Sequence, residues 1–375
     1  MREKTCLKSI VISVFLAAML LPAIMSGQAF GETYQIIDLH PGGFTESSAT
    51  GTAGTQQVGS GWYSATSSYH ALLWNGSAES YVDLNPSGFD GSRAEGISST
   101  QQAGYGWGSA TGGNTHALLW NGSATSFADL NPSGFSNSWA SGTNDAQQVG
   151  YGSGSATGGN THALLWNGSA TSFVDLNPSG FTMSYAHGIY GTQQVGYGSG
   201  SATGNKTHAL LWSGTAESFI DLNPSEFTVS LAIGIGGSQQ VGNGYGPATG
   251  DRTHALLWSG TAASYIDLSP TSGFNDSWAC ATNGTQQVGY GASPGNSHAL
   301  LWSGSAESLV DLHQFLPAGF YESSAYDIDS YGNIVGYAKD SLGNNHAILW
   351  QPIPEPATIL LLGFGSLALL KKHRS

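Results

Sequence analysis

Seven times along this 375-residue chain a short apolar run, His-Ala-Leu-Leu-Trp or once His-Ala-Ile-Leu-Trp, stands between polar, glycine-rich stretches. The copies begin at His70, His116, His162, His208, His254, His298 and His346, spaced by 46, 46, 46, 46, 44 and 48 residues. Asp-Leu recurs with them at Asp38, Asp83, Asp129, Asp175, Asp221, Asp267 and Asp311. No stretch of the unit carries a helical apolar stripe. Each unit offers four short strand candidates instead, in the third copy 138–142, 147–151, 162–166 and 172–176, punctuated by Gly, Asn and Pro. Four strands in about 46 residues predict a β-propeller blade.

Turn chemistry sets the phase. Asn75-Gly76, Asn121-Gly122 and Asn167-Gly168 follow the Trp directly and predict a tight hairpin, so the Trp strand and the next Asp-Leu strand belong to one blade. Asn131-Pro132-Ser133-Gly134-Phe135 carries a proline that cannot join a ladder and reads as the crossover between blades. With this phase the first blade runs from about Ser47 to Leu84, and the last begins near Ser324 and stops at Trp350 without a fourth strand. Tyr34 to Leu39 is an orphan Asp-Leu strand at the other end. The expected fold is all-β, a seven-bladed β-propeller over 32–352 closed by the N-terminal strand, so that the last blade keeps no open edge.

Within each unit an alanine is constant: Ala49, Ala94, Ala140, Ala186, Ala232, Ala279 and Ala325. A small residue suits the crowded innermost strand. A glycine recurs at Gly59, Gly104, Gly150, Gly196, Gly242, Gly289 and Gly336, where it is expected to admit the neighbouring sheet. Leu-Leu-Trp is apolar on both faces, as a strand sandwiched between blades should be.

The two ends read differently. A basic start, an apolar run from Ile10 to Met25 and small residues up to Gly31 make residues 1–31 a secretory signal peptide, cut after Ala29 or Gly31; an uncleaved anchor is the alternative. Cys6 precedes the apolar run and so does not sit as a lipoprotein cysteine does. Cleavage would leave Cys280 alone, so no internal disulfide can hold the body. At the other end, Pro354-Glu355-Pro356 is followed by fourteen uncharged residues from Ala357 to Leu370 and then Lys371-Lys372-His373-Arg374-Ser375. Fourteen residues are short for a span of about 20, although counting from Ile353 and letting the lysines snorkel narrows the gap.

These terminal residues resemble the PEP-CTERM sorting signal of Gram-negative bacteria over 353–375. The resemblance implies a C-terminal membrane helix that stops transfer in the inner membrane, a basic tail left in the cytoplasm, and cutting by an exosortase near Pro354, Glu355 and Pro356. It also implies release to the cell surface or medium, and company with extracellular polysaccharide and biofilm production. The body over about 34–350 resembles the HAF family of extracellular repeats, whose units pair a Gln-Val-Val-Gly-like strand with His-Ala-Phe-Leu-Trp and an Asp-Leu-Gly-like strand. Here the motifs are Gln-Gln-Val-Gly, His-Ala-Leu-Leu-Trp and Asp-Leu-Asn-Pro, so only architecture and exposure carry over from it.

Charge narrows the partners. The formal net charge is −14, but six of the ten Lys and Arg lie at the two ends. The body keeps 22 acidic residues against Arg93, Lys206, Arg252 and Lys339, about −18. Such a body repels phosphate backbones and anionic membranes, which makes nucleic acid an unsuitable partner.

Several constellations have the look of chemistry. The seven His and seven Asp could be acid–base pairs or metal ligands, but a feature of every blade reads better as part of the blade, with His bonding a turn and Asp forming an Asx-turn. Gly150-Tyr151-Gly152-Ser153-Gly154 resembles a phosphate loop but lacks the following helix. Asp327-Ile328-Asp329 with Gly332 resembles a calcium loop but occupies the hairpin position. No metal or cofactor is expected.

More informative is what varies around the constant alanine: Ser48, Arg93, Trp139, Tyr185, Leu231, Trp278 and Ser324 before it, and Thr50, Glu95, Ser141, His187, Ile233, Cys280 and Tyr326 after it. Trp139, Tyr185 and Trp278 are the candidates for stacking on sugar rings, with plain inter-blade packing as the competing account. The chain is therefore read as an exported, non-enzymatic cell-surface or matrix protein. The alternative is a propeller hydrolase or lyase acting on polysaccharide, for which Glu95, His187 and Asp327 are the candidate residues.

Overall fold

The computed structural model describes residues 33–353, of which Tyr34–Pro352 form one compact unit. The signal peptide, Pro354-Glu355-Pro356 and the apolar C-terminal helix expected from the sequence lie outside the described residues. Among those described, no helix is long and apolar enough to cross a membrane.

Seven four-stranded antiparallel sheets are arranged as blades. The third blade is typical: Phe135–Thr143, Gln148–Gly154, Thr161–Trp166 and Val174–Asp175. The first blade spans Phe44 to Asp83, and the last draws three strands from Phe320–Ile328, Ile334–Asp340 and Asn345–Pro352. Its fourth is Tyr34–Asp38, paired antiparallel from Tyr34 opposite Pro352 to Asp38 opposite Ile348. The orphan strand thus completes the seventh blade, as the unit count requires. Phe127–Asp129 and Phe135–Thr143 fall in different sheets, so the Asn-Pro-Ser-Gly segment is indeed the crossover.

The Asn-Gly signal is only half right. Gly76, Gly122 and Gly168 do adopt positive φ, between 75° and 79°. The connection is nevertheless longer than a two-residue hairpin. In blades 1 and 3 a 3-10 turn, Ala78–Ser80 or Ala170–Ser172, follows the Asn-Gly, and the outer strand shrinks to two residues, Val82–Asp83 or Val174–Asp175. A buried glutamine holds this turn: Gln57 and Gln148 accept from the N–H of Gly76 and Gly168 at 3.0 and 2.8 Å. Outer strands this short also leave little edge to recruit another chain.

Apolar burial lies between blades rather than in one central core. Leu118 and Trp120 pack against Val58, Ala71 and Leu73 of the blade before, while Ala117 and Leu119 pack against Leu130, Phe135 and Trp166 beyond. Alternate side chains of the Leu-Leu-Trp strand therefore serve two interfaces, and all seven of these Trp are fully buried.

Polar stitching repeats with the same period. A buried serine of each first strand accepts from the alanine N–H of the preceding blade's third strand, as Ser138 does from Ala117 at 2.9 Å. Ser47 does the same for Ala347 at 3.0 Å, which joins the last blade to the first.

Candidate functional site

Each innermost strand carries a bulge one residue after the constant alanine. The register skips between Ala49 and Gly51, Ala94 and Gly96, Ala140 and Gly142, Ala186 and Gly188, Ala232 and Gly234, Ala279 and Ala281, and Ala325 and Asp327. A bulged residue has no cross-strand partner and is free to point elsewhere. The bulged residues are Thr50, Glu95, Ser141, His187, Ile233, Cys280 and Tyr326, and all seven line one central cavity of about 840 Å³.

The bulge also explains the glycine column. A Cβ on Gly150 would fall onto the carbonyl oxygen of Trp139, and one on Gly59 onto that of Ser48. The expected reason, approach of the neighbouring sheet, is therefore corrected: the close contact is with the first strand of the same blade.

The cavity wall adds non-repeating side chains from two columns, the residue before the alanine and its partner on the second strand. Trp139 lies opposite Tyr151 and stacks on it with ring centroids 5.2 Å apart. Trp278 stacks likewise on Tyr290 at 4.8 Å. Both pairs line the cavity from blades 3 and 6. Tyr185 stacks on Tyr197 at 5.0 Å and meets Tyr151 edge-on at 5.0 Å, behind the lining rather than in it. The tyrosines of the second strand escaped the sequence reading, because only the pairing register shows that they face the variable column.

The charged groups of the wall are few. The Arg93 guanidinium sits 3.8 Å over the Tyr69 ring, whose hydroxyl donates to Glu46 at 3.1 Å. Glu95 accepts no hydrogen bond among the described residues. Burial raises its carboxyl to about 7, opposed only by Arg93. His187 rests against Tyr197 with centroids 5.2 Å apart, and its buried Nε2 has no partner. Burial lowers that imidazole to about 4. Burial, with Asp327 nearby, pushes the Cys280 thiol up to about 12, which removes it as a nucleophile.

Asp327 is raised to about 6 by burial, even though its Oδ2 accepts from the Thr52 N–H at 2.9 Å. That bond spans the seam between the last and first blades, so this carboxylate is already engaged in closing the ring. The three candidates Glu95, His187 and Asp327 do share the cavity wall.

The repeated His and Asp lie elsewhere and serve the blades. His116 Nδ1 bonds Asp129 Oδ2 at 2.7 Å, and Asp129 Oδ1 accepts from the Asn131 N–H at 2.8 Å. The Asx-turn is as expected; the histidine, however, meets the aspartate rather than a turn. The seventh pair, His346 with Asp38 at 2.8 Å, joins the two ends of the described chain.

The glycine run 150–154 lies in the strand Gln148–Gly154, where its backbone belongs to the ladder. Asp329 of the calcium-like segment is saturated: Oδ1 accepts from the N–H groups of Tyr331 and Asn333, and Oδ2 from Gly54 N–H and Asn333 Nδ2. Among the described residues no three His, Cys, Asp or Glu side chains gather as metal ligands would.

Comparison with known proteins bears on the chain's end first. Residues 352–374 match the model of the PEP-CTERM protein-sorting motif. The chain ends in a PEP-CTERM sorting signal. This motif implies an exported protein that is anchored in the membrane and then processed by an exosortase. The match does not extend to the repeats, and no curated protein matches the chain.

Among solved structures, the β-propeller domain of the Trilobed protease from Pyrococcus furiosus is similar with a TM-score of 0.58 at 10% identity, covering 83% of this chain and 98% of that one. A puromycin hydrolase gives 0.54 at 11% identity, with 80% and 51% covered. An acylaminoacyl peptidase gives 0.52 at 10%, with 85% and 54% covered. This chain spans about half the length of those two enzymes. At such identity the likeness is one of fold alone. The Pyrococcus domain is described as having an open velcro topology, whereas here the N-terminal strand pairs into the last blade.

Proposed function

We propose that this PEP-CTERM protein is a non-enzymatic component of the cell surface or extracellular matrix, a HAF-like propeller whose central cavity holds a saccharide of the surrounding polysaccharide. The observation that carries the proposal is the sorting signal at 352–374, which directs the body outside the cell. A body of about −18 suits that setting by staying dispersed and by avoiding anionic polymers. The wall supports binding more than turnover. Glycoside hydrolysis uses a pair of carboxyl groups across the scissile bond; on this wall Asp327 accepts from the Thr52 N–H and Glu46 from the Tyr69 hydroxyl, and neither stands unengaged as Glu95 does.

The hydrolase or lyase reading draws on two carboxyls raised by burial on one wall, Glu95 to about 7 and Asp327 to about 6, values suited to a general acid or base. It requires release of reducing ends from a polysaccharide and loss of that release in Glu95→Gln.

The export reading is tested by intact-mass measurement on protein made in an exosortase-bearing host. The expected product lacks about residues 1–31 and the tail beyond Pro356, and replacing Pro354, Glu355 and Pro356 by Ala should hold the chain in the inner membrane. Full-length chain in the extracellular fraction would overturn it.

A further inference from the structure

The polar groups of the cavity are unequally supplied. Glu95 accepts nothing, and Asn345, also on the wall, has a buried Oδ1 without a donor. The cationic side chain on that wall, Arg93, is turned over the Tyr69 ring. Beside the unpartnered His187 Nε2, the wall therefore holds two acceptors without donors, Glu95 and Asn345. Around them stand aromatic faces, Trp139 on Tyr151 and Trp278 on Tyr290, brought in from two non-adjacent blades. A carboxylate set among aromatic rings favours an organic ammonium group, which offers three donors and no acceptor, and flat aromatic faces favour a ring-shaped body beside it.

Resting on the reading of this cavity as a saccharide site, we infer that it selects an amino sugar carrying a free, protonated amine, with Glu95 as the partner of the ammonium and Trp139 and Trp278 as the stacking faces. Neutral sugars would leave the carboxylate unpaired, and anionic sugars would be repelled by it and by the acidic body.

The groups facing Glu95 make its response to pH simple. Arg93 lies on its own strand, Tyr105 on the next strand of the blade, Tyr151 comes from blade 3 and Tyr326 from blade 7. Thr50 and Ser141, neutral, occupy the same bulge position in the flanking blades. Burial drives the three phenols upward, so they stay neutral and Arg93 is the charge that Glu95 feels near neutrality. Ammonium binding should thus draw the proton off Glu95.

The test is calorimetric titration of the mature protein with four probes: a glucosamine oligomer, the N-acetylglucosamine oligomer of equal length, a glucose oligomer, and spermidine. The glucosamine oligomer should bind at least about tenfold more tightly than the acetylated one at pH 7, roughly 1.4 kcal/mol. That preference should shrink as pH falls to about 5, where Glu95 is protonated, and vanish in Glu95→Gln at any pH. The double substitution Trp139→Ala and Trp278→Ala should weaken every saccharide.

Equal binding of free and acetylated oligomers, or a preference kept in Glu95→Gln, overturns the amine inference and leaves the saccharide site standing. Spermidine binding as tightly as the oligomer overturns the assignment to a sugar. No binding by any of the four overturns both readings. The wild-type pH series decides the matter even if the variant misfolds.

Discussion

Replacing Asp38 by Ala separates what a His–Asp pair does inside a blade from what it does for the ring. Asp38 and Asp129 make the same two bonds. Asp38 Oδ2 meets His346 Nδ1 at 2.8 Å and Oδ1 accepts from the His40 N–H at 2.8 Å. Asp129 meets His116 at 2.7 Å and accepts from the Asn131 N–H at 2.8 Å. The carboxylates are similarly accessible, 47% and 41%, so solvent screens both losses alike. Hydrogen bonds to charged groups contribute about 1.5–3 kcal/mol when well buried, and exposure of this degree brings the local loss to about 1–2 kcal/mol for either substitution.

The difference is topological. The strand ending at Asp129 is tethered on both sides, whereas Tyr34–Asp38 begins the compact unit and is held by its ladder to Asn345–Pro352. Loss of the bond nearest the chain's turn into blade 1 should let that strand open. Amide exchange read by mass spectrometry on a peptide covering 33–40 should accelerate about tenfold in Asp38→Ala, the factor that roughly 1.4 kcal/mol gives. The equivalent peptide of Asp129→Ala, covering 126–131, should change less. Asp340, 3.7 Å from His346 Nε2, keeps a carboxylate beside that histidine and so cannot be the source of an excess effect. Equal acceleration in the two variants would refute the idea that the seventh pair latches the ring.

Three further outcomes follow from the same geometry. Trp120→Ala, which empties a fully buried site between blades, should cost about 3–5 kcal/mol in urea unfolding, whereas Trp139→Ala, losing chiefly its stack on Tyr151, should cost about 1–2 kcal/mol; equal losses would make Trp139 a packing residue. Glu95 is raised from 4.5 to about 7, so the folded state keeps a proton the unfolded chain has released, and stability should fall as pH rises through that window and cease to do so in Glu95→Gln. His187 is lowered from 6.5 to about 4, so its contribution is lost as pH falls across that interval, and His187→Gln should flatten this acid limb of a melting-temperature series.

How much could be read from residues alone depended on whether a feature repeats. The 46-residue period, the four strands and the orphan Tyr34–Leu39 segment required only alignment of the chain with itself. The bulge did not show, because Ala-x-Gly with one extra residue looks in sequence like any short strand. Two errors follow from that one omission. The glycine column was ascribed to the neighbouring sheet, and the residue after the alanine could not be told from the one before it, although the first kind enters the cavity in all seven blades and the second in only some. The shortened outer strands were hidden for another reason: Asn-Gly specifies positive φ at a turn, not the length of the connection.

The same contrast gives the fold its means of making an asymmetric site from seven similar units. Stability rests on contacts that repeat in every unit: the serine that receives an alanine N–H and the buried Trp between blades, and the glycine beside the first strand and the His–Asp pair within a blade. The bulged residue belongs to none of these, since it has no partner in the ladder. Substitution there spares the ladder, though at Thr50 it removes a hydroxyl that donates to the Ala94 carbonyl of the next blade at 2.8 Å, and every such substitution reaches the one cavity that all blades share. Thr50, Glu95, Ser141, His187, Ile233, Cys280 and Tyr326 are accordingly seven different residue types at one structural position. A ring closed by its own N-terminal strand keeps those seven side chains on a common cavity, so recognition can diversify there without disturbing the contacts that repeat from blade to blade.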